Sequence, residues 1–236
     1  MKLSAMLLCL LAPAVSTIAL AWAGNPSLQS LPLIIEKNQG QASTQVRYLA
    51  RHGTIGAYFT AEGVEFAQPG DWNARISWRL AGAAAGVEPT GRKPLPSHST
   101  YFTGADASQW TRDVENVAEV AYPGVYPGID LVFHGTGGDL EHDFRIAPGS
   151  DPTLIAFRLQ GAKQPLMEQQ GNLVIPLGAG SMVLRKPLAY QESSSGRNLV
   201  EAAFVLDAGG TVHFRVGSFD PTRELDQPAR RSRHGC

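Results

Sequence analysis

Two stretches of the sequence decide the fold: Tyr122-Pro-Gly-Val-Tyr-Pro-Gly-Ile-Asp-Leu131 and Leu140-Glu-His-Asp-Phe144. In the first stretch, each proline presets φ and each glycine permits positive φ, so the repeated Tyr-Pro-Gly unit predicts two successive type II-like turns. In the second stretch, alternate residues are apolar, which is typical of a strand with one face toward a core. Together they predict tight turns that lead into half-buried, paired strands.

The same alternation continues along most of the chain and indicates its fold class. Ile76, Trp78 and Leu80 fall on one face of a strand, whereas Ser77 and Arg79 fall on the other. Gly, Pro, Asn and Asp bound these segments, and helical periodicity is nearly absent. Some thirteen strands are predicted, at 46–50, 57–60, 64–67, 76–80, 117–120, 129–134, 140–146, 155–159, 173–177, 182–185, 188–192, 199–206 and 212–216. We therefore predict an all-β protein, an antiparallel sandwich or a two-sheet supersandwich.

Short helices and one long connection complete the predicted layout. One-turn helices are expected at Asp106–Trp110 and Asp151–Leu154, where an Asp can cap the first turn. Residues 82–99 are rich in Ala, Gly and Pro, so they predict a surface connection and the place of a subdomain break.

The first 23 residues predict export. Lys2 supplies a positively charged start, Leu3–Leu20 form an apolar run, and Ala21-Trp-Ala23 form a small-x-small cleavage site. A membrane anchor needs about 20 strongly apolar residues, and this run is broken by Pro13. We therefore expect residues 1–23 to be a removed signal peptide, with no stable membrane span in the mature chain and a secreted or cell-surface location.

Composition excludes several classes of protein. The formal net charge of the whole chain is −1, and removal of Lys2 makes it −2, which argues against binding to nucleic acid or an anionic membrane. Cys236 is the one cysteine left after the signal peptide, so no internal disulfide is expected. A hydrophobic content of 43% is ample for a core, and stability must come from burial.

A cluster of acids lies at Asp139, Glu141 and Asp143, which strand alternation places on one face with neighbours roughly 6.5–7 Å apart. Paired carboxylates at that distance can serve as acid and base in glycoside hydrolysis. Carboxylate oxygens can also bind Ca²⁺, with Asp130 on a neighbouring strand as an added ligand. The interpretation that the sequence favours is an exposed strand face beside Arg145 without a ligand. No cofactor is therefore predicted, and Ca²⁺ is the one candidate.

Motifs for nucleophilic or metal-dependent catalysis are missing from the sequence. It has no Gly-x-Ser-x-Gly, no phosphate-binding Gly-x-x-x-x-Gly-Lys, and no cysteine placed for a thiol mechanism. The histidines at 52, 98, 134, 142 and 213 show no metal-ligand spacing. His142 falls on the apolar face of its strand and is predicted to be a core imidazole. We therefore predict no catalytic residues and no enzymatic activity.

Aromatic side chains supply the candidate ligand-binding residues. They concentrate between positions 101 and 133, at Tyr101, Phe102, Trp110, Tyr122, Tyr126 and Phe133. Exposed rings on a β scaffold can stack against sugars or peptides, so Trp110, Tyr122 and Tyr126 are the candidates for a glycan or protein partner. Core packing is the favoured alternative, because large rings dominate burial in sandwiches.

Six motifs in a fixed order carry a resemblance to a known family: Asn38-Gln39-Gly40-Gln41, Tyr101-Phe102-Thr103-Gly104, Tyr122–Leu131, Leu140–Phe144, Pro148-Gly-Ser-Asp-Pro152 and Lys186-Pro-Leu-Ala-Tyr-Gln-Glu192. From about Leu31 to Leu225 the chain resembles the β-rich N-terminal domain that precedes SBBP repeats, which are β-propeller-type repeats, in large secreted or surface proteins of bacteria. That domain has no established activity. The resemblance implies an extracellular all-β module next to a repeat array, serving attachment, assembly or ligand binding.

The end of the chain departs from the family pattern. Members usually continue from a Phe-Asp-Pro-like segment, here Phe219-Asp-Pro221, into an apolar strand with an Ile-Asp-Pro element and then into the repeats. This chain instead reads Glu224-Leu-Asp-Gln-Pro-Ala-Arg-Arg-Ser-Arg-His-Gly-Cys236. We therefore predict one β-sandwich-like domain over residues 24–225 and a disordered basic tail over residues 226–236.

Three functional hypotheses follow from the sequence. The first, which the resemblance favours, is a non-catalytic exported module for adhesion, assembly or ligand binding. The second is a carbohydrate-active enzyme that uses the strand carboxylates. The third is a non-functional fragment of a larger surface protein, whose bare strand edges would make it prone to aggregation.

Overall fold

The structure is a computed structural model that describes residues 33–52, 55–68, 71–136, 139–161, 164–177, 180–194 and 196–229. The predicted signal peptide, both cysteines and residues 230–236 lie outside the described residues. Within the described ranges, no helix is long and apolar enough to cross a membrane.

The described residues form eighteen strands, whose bounds are β1 (Ile35–Lys37), β2 (Val46–His52), β3 (Ile55–Thr60), β4 (Gly63–Gln68), β5 (Asp71–Leu80), β6 (Thr90–Tyr101), β7 (Thr111–Tyr126), β8 (Ile129–Thr136), β9 (Asp139–Ile146), β10 (Ala156–Gln160), β11 (Leu166–Met167), β12 (Leu173–Leu177), β13 (Gly180–Leu184), β14 (Ala189–Ser193), β15 (Gly196–Val200), β16 (Ala202–Leu206), β17 (Thr211–Val216) and β18 (Leu225–Ala229). Every pairing between them is antiparallel, so the predicted all-β class is confirmed. Two single-turn 3₁₀ helices, Ala107–Gln109 and Pro152–Leu154, stand where one-turn helices were predicted, capped by Asp106 and Asp151.

Strand β7 is where the large sheet divides into two wings. Val117 pairs with β6 and with β1, and Ala121 pairs with β6 and with β8. Because a strand has two edges, β1 and β8 must follow one another along the edge opposite β6. One wing runs β1-β2-β3-β4-β5-β10-β17-β16, and the other runs β8-β9-β18-β14-β15.

The two wings pack against each other through aromatic rings. The ring centroids of Trp78 in β5 and Phe133 in β8 lie 5.5 Å apart, and those of Phe144 in β9 and Phe214 in β17 lie 5.4 Å apart, both edge to face. Such contacts join two layers of a sandwich around one core. The separate sheet β11-β12-β13 adds buried residues, such as Ile175, to the same core.

The two Tyr-Pro-Gly units have different structural roles. Pairing of β7 with β8 shifts register between Tyr122 and Tyr126, so the first unit is a bulge inside β7 and the predicted turn there is wrong. The second unit is the predicted turn between β7 and β8. Gly124 and Gly128 carry φ of +61° and +70°. A Cβ at Gly128 would lie 2.0 Å from Ser150 Oγ, whereas nothing lies within 4 Å of a Cβ at Gly124.

The connection predicted across residues 82–99 is wrong for its second half, where the chain forms β6. Pro94 and Pro96 hid this strand, because proline cannot donate a ladder hydrogen bond. The structure accommodates them in a strand that pairs with β7 at the edge of the sheet. The register shifts between Pro94 and His98, which accounts for the irregular sequence pattern.

The predicted start of the disordered tail at residue 226 is also wrong. Leu225–Ala229 form β18, which inserts between β9 and β14. Leu225 is fully buried, and the Gln191 side chain fixes the preceding turn through two 2.8 Å hydrogen bonds with the backbone of Asp220. One apolar residue gives too weak a local pattern to predict a strand, so long-range pairing defines this element.

Candidate functional site

Two of the three candidate ligand-binding aromatics, Tyr122 and Tyr126, lie in the core. Their exposed fractions are 4% and 3%. The Tyr122 hydroxyl donates to the carbonyl oxygens of Thr60 and Gly63, at 3.0 and 3.2 Å. The Tyr126 hydroxyl lies 2.9 Å from the carbonyl oxygen of Ala156 in β10, and burial raises the pKa of Tyr126. Both tyrosines therefore tie β7 to neighbouring strands and loops, and their rings do not form a surface edge.

The Asp130 carboxylate stabilises the bulge of the first Tyr-Pro-Gly unit. Its Oδ1 accepts a 2.8 Å hydrogen bond from the backbone N–H of Gly124, and its Oδ2 lies 3.5 Å from Arg92 Nη2. Asp130, near the end of the first signature stretch, thus stabilises the bulge six residues earlier. This contact gives the motif a structural explanation that needs no ligand.

The predicted acid cluster lies on one face of β9. Burial alternates along the strand, with His142, Phe144 and Ile146 buried and the residues between them half-buried. Asp139, Glu141 and Asp143 therefore share the outer face of the second wing, as the alternation predicted. Asp130 faces the same way on β8, where it pairs with Arg145 in the register. We call the outward-facing side chains of β7, β8, β9, β18 and β14 the outer face.

His134 and Asp143 form a close pair on the outer face. His134 Nε2 lies 2.8 Å from Asp143 Oδ2, and the side chains are 26% and 19% exposed. The hydrogen bond with Asp143, whose carboxylate accepts, is the main cause that raises the pKa of His134, and burial opposes it. No sequence motif marks this pair, because its members come from different strands and meet through the β8–β9 register.

A second charged group surrounds Glu119 of β7. Its side chain is only 8% exposed, and Oε1 lies 2.5 Å from Lys93 Nζ and 3.8 Å from Arg145 Nη2. A buried carboxylate is costly unless it is paired, and two cations meet that need here. Lys93 itself has φ of +56°, a left-handed conformation that non-glycine residues adopt at some cost.

Asp226 and Tyr190 extend the outer face onto β18 and β14. Burial, followed by the neighbouring carboxylates of Glu224 and Asp143, raises the pKa of Asp226. Burial and Asp226 likewise raise the pKa of Tyr190. Asp143 and Asp226 are diagonal neighbours across β9 and β18, because Asp226 stands opposite Arg145 in the register.

The arrangement of the acids bears on the calcium candidate. Across the described ranges, no three His, Cys, Asp or Glu side chains are grouped so that they could hold a metal ion. Asp143 pairs with His134, and Asp130 contacts Arg92 and Gly124. The four candidate ligands share the outer face. Asp143 and Asp130, however, are held by different partners, His134 for the first and Arg92 and Gly124 for the second.

The third candidate aromatic, Trp110, belongs to a surface cluster at the end of the β6–β7 hairpin. Phe102 is 69% exposed, and its ring meets the Trp110 ring edge to face with centroids 4.9 Å apart. The Arg112 guanidinium lies 5.0 Å from the centre of the Trp110 ring. We call Phe102, Trp110 and Arg112 the aromatic tip.

Local sequence holds the aromatic tip in shape. The Trp110 indole N–H donates to the Gly104 carbonyl oxygen at 3.2 Å. Asp106 Oδ1 accepts a 2.9 Å hydrogen bond from the backbone N–H of Ser108, which caps the short helix between the two rings. Hydrogen bonds from Ser108 hold the pKa of Asp106 below its usual value, so the segment that joins the two rings carries a carboxylate. Aromatic clustering in the sequence pointed to this region, but the roles of Phe102 and Arg112 depend on the hairpin.

Residues 35–226 match the model of a family described as a domain of unknown function (DUF7948). A search of curated proteins and a search of solved structures found no match. The matched region runs from β1 into β18, so it includes the branched sheet, the outer face and the aromatic tip. The chain therefore belongs to the family described as a domain of unknown function, DUF7948.

Proposed function

We propose that this protein is a non-catalytic binding module that recognises a glycan through the aromatic tip. The observation that carries the proposal is the contact between the exposed Phe102 ring and the half-buried Trp110 ring, which is held by the Trp110–Gly104 hydrogen bond and contacted by Arg112. Sugar rings present apolar C–H faces that pack on aromatic rings, and their hydroxyls need donors and acceptors beside them. Arg112 and the Asp106 carboxylate supply both.

Rigidity supports binding at the aromatic tip. A ring held by a hydrogen bond and a neighbouring ring loses little conformational freedom when a ligand arrives, so more of the contact energy becomes affinity. The next residue after Arg112, Asp113, has φ of +55°, a conformation that is costly for a side chain other than glycine. Such strained positions concentrate near binding sites, which agrees with a role for this end of the hairpin.

A glycan array tests the proposal directly. The chain is expected to bind a subset of glycans, and Phe102→Ala and Trp110→Ala are each expected to weaken binding at least about tenfold, since aromatic residues dominate binding energy. Leu199→Ala is the matched control, because Leu199 is an apolar side chain that is 77% exposed on β15, away from the tip. Absence of binding to any glycan, or equal binding by the tip variants, would contradict the proposal.

We also infer that the domain is exported and stands before an SBBP repeat array in bacterial surface proteins. The signal-peptide pattern of residues 1–23 and the six ordered motifs support this inference. Leu225-Asp-Gln-Pro228 forms a strand where the family places its Ile-Asp-Pro strand, which brings the end of the domain closer to the family pattern. Translation of the DNA after codon 229 in all three frames is expected to reveal the repeats, and their absence from every frame would contradict the inference.

A carbohydrate-active enzyme is the second candidate, favoured by the carboxyls of the outer face. Asp143 is paired with His134, whereas burial and nearby carboxylates raise the pKa of Asp226. Glycosidases use two carboxyls in different roles, and a raised pKa suits the one that acts as the general acid. If the native chain cleaves a polysaccharide, Asp143→Asn, Asp226→Asn and Glu141→Gln should abolish turnover. Unchanged turnover in all three variants, or none in the native chain, would exclude this candidate.

A further inference from the structure

The aromatic tip is carried by a hairpin that makes little backbone contact with the rest of the large sheet. Strand β7 pairs with β1 at Asn116 and Val117, whereas its first part, Thr111–Glu115, pairs with β6 alone among the described strands. Within the same described ranges, β6 pairs only with β7. The place of the tip relative to the core therefore depends on contacts outside the strand ladders.

The hairpin is irregular where it approaches the tip. Its register shifts between Pro94 and His98, and again between Ser99 and Tyr101. Asp113 lies opposite the second shift and has φ of +55°. Bulges bend a strand ladder, and a left-handed residue other than glycine persists only where the surroundings hold it. The bent end of the hairpin therefore needs an outside contact that keeps it in place.

Tyr101 supplies such a contact. Its hydroxyl donates a hydrogen bond to the carboxylate of Glu36 in β1 and accepts one of 2.8 Å from Arg51 Nη1 in β2. The Arg51 guanidinium also lies 5.1 Å from the centre of the Tyr101 ring. Glu36 pairs with Asn116, whereas Tyr101 pairs with Thr111, well before Asn116 along β7. The hydroxyl therefore ties the end of the hairpin back to two strands of the first wing.

The two hydrogen bonds of Tyr101 are of a strong kind. Burial, followed by the hydrogen bond with Glu36, raises the pKa of Tyr101 to about 12, so the hydroxyl keeps its proton at neutral pH and donates to the carboxylate. Hydrogen bonds to charged groups are stronger than those between neutral groups. Two of them on one hydroxyl can offset the strain at Asp113 and hold the bend.

Tyr101 also stands directly beside the rings of the tip. Phe102 follows Tyr101 in the chain, and Trp110 precedes Thr111, so the Tyr101–Thr111 pair is the last rung of the hairpin before both rings. A shift of this rung would shift the two attachment points of the tip. Rings that change their relative position must be ordered again when a ligand binds, and this ordering lowers affinity.

We propose that Tyr101 is the positioning residue of the aromatic tip. Its hydroxyl, held between Glu36 and Arg51, fixes the bent hairpin and so keeps both rings of the tip arranged for the glycan. This inference rests on the proposed glycan binding, and it assigns a role to a residue that acts through the rings and not through contact with the sugar.

Removal of the hydroxyl tests this role first without a ligand. In the ¹⁵N-labelled chain, the heteronuclear NOE of the Trp110 indole N–H should fall in Tyr101→Phe, while that of the buried Trp78 should not change. Trp110→Phe and Trp78→Phe identify the two signals. Tyr190→Phe removes another half-buried tyrosine hydroxyl, outside the hairpin, and is the matched control that should change neither signal. A Trp110 signal that is as rigid in Tyr101→Phe as in the native chain would overturn the inference, whether or not a glycan has been found.

A double-mutant cycle then tests the role with a glycan that binds the native chain. Tyr101→Phe and Glu36→Ala are each expected to weaken binding about fivefold, the effect of one net hydrogen bond. The double variant should lose no more than Tyr101→Phe alone, because both changes break the same contact. Glu36→Gln keeps an oxygen acceptor for the hydroxyl and should retain most of the affinity.

The outcomes separate this inference from the proposed function. Full affinity in Tyr101→Phe, or losses that add in the double variant, would overturn the role of Tyr101 and leave glycan binding at the tip in place. Absence of glycan binding by the native chain would contradict the proposed function, and the mobility of the Trp110 indole would still decide whether Tyr101 holds the tip.

Discussion

The two faces of the β8–β9 hairpin give neighbouring histidines opposite chemistry. His142 faces the core between Trp78 and Phe133, and burial lowers its pKa to about 4. His134 faces outward, where the hydrogen bond with Asp143 raises its pKa. The two rings belong to adjacent positions of the register, since His142 pairs with Phe133. One sheet thus separates a neutral imidazole from one that favours its charged form.

The two faces also differ in how their polar side chains are paired. On the outer face, Glu119 pairs with Lys93 and Asp143 with His134. Buried side-chain atoms without a hydrogen-bond partner among the described residues occur on both faces, in His142, Trp78 and Gln227 on the inner face and at Asp143 Oδ1 on the outer face. Ion pairing therefore distinguishes the outer face, whereas incomplete hydrogen bonding does not distinguish the two.

Removal of β18 should break both faces at once and have the largest effect. Leu225 and Gln227 point inward and Asp226 outward, and the strand joins β9 to β14. A chain that ends at Glu224 would bare two strand edges and open the core, so we expect loss of the folded domain and aggregation. A chain that ends at Ala229 is the control and should stay monodisperse. Size-exclusion chromatography with circular dichroism distinguishes them, and a folded shorter chain would contradict the role of β18.

Acid should lower the free energy of unfolding because His142 is buried on the inner face. Its pKa in the folded state, about 4, lies below the ordinary value of 6.5, so the unfolded chain takes up a proton before the folded one. The free energy of unfolding should be unaffected by this group above pH 6.5 and fall by about 3 kcal/mol between pH 6.5 and 4. Urea unfolding at pH 7 and 4.5 should show a smaller loss for His142→Leu. An equal acid loss in the variant and the native chain would disprove this account.

Replacement of one tyrosine on each face by phenylalanine compares the two faces without changing the charge of the chain. Tyr122 faces inward and its hydroxyl donates to backbone carbonyl oxygens, whereas Tyr190 is half-buried on the outer face. Tyr122→Phe leaves those buried carbonyls short of a donor and should lower the free energy of unfolding by about 1–2 kcal/mol. Tyr190→Phe should lower it by less than about 0.5 kcal/mol. Thermal and urea unfolding give both values, and equal losses would show that the faces do not differ in this respect.

The smallest expected effect belongs to the His134–Asp143 pair. Because the pKa of His134 is raised in the folded state, its contribution is fully present below its ordinary value of 6.5 and is lost as pH rises through the folded value. The pair is partly exposed, so the contribution should be below about 1 kcal/mol. The difference in unfolding free energy between the native chain and His134→Gln should shrink from pH 6 to pH 9. A difference that grows over this range would have the wrong sign.

The local alternation of the sequence was enough to predict the all-β class and which residues of β9 face inward or outward. Alternation placed His142 and Phe144 inward and the acids outward, because side-chain direction in a strand follows from sequence position alone. It failed for β6, where prolines mask an edge strand, and for β18, where the only apolar anchor is Leu225. These elements exist through pairing with strands far away in the chain, which no short window of sequence contains.

The candidate functional residues likewise depend partly on local sequence and partly on long-range pairing. Trp110 was a candidate from aromatic clustering, but its contacts with Phe102 and Arg112 arise from the hairpin. Tyr122 belonged to the same cluster and is buried, because it stands opposite the buried Leu131 in the β7–β8 register, and its hydroxyl contacts the turn between β3 and β4. Composition located the region, and only the fold separated the surface ring from the core ring.

The central claim, recognition of a glycan at the aromatic tip, is tested most directly by the indole N–H spectrum of the ¹⁵N-labelled chain during titration with glycans selected on the array. Signals are assigned with Trp110→Phe and Trp78→Phe, so that one tryptophan outside the core and one inside it are followed in the same experiment. The account predicts a saturable shift of the Trp110 signal while the Trp78 signal stays in place. A Trp110 signal that does not move at glycan concentrations that saturate the chain would contradict it.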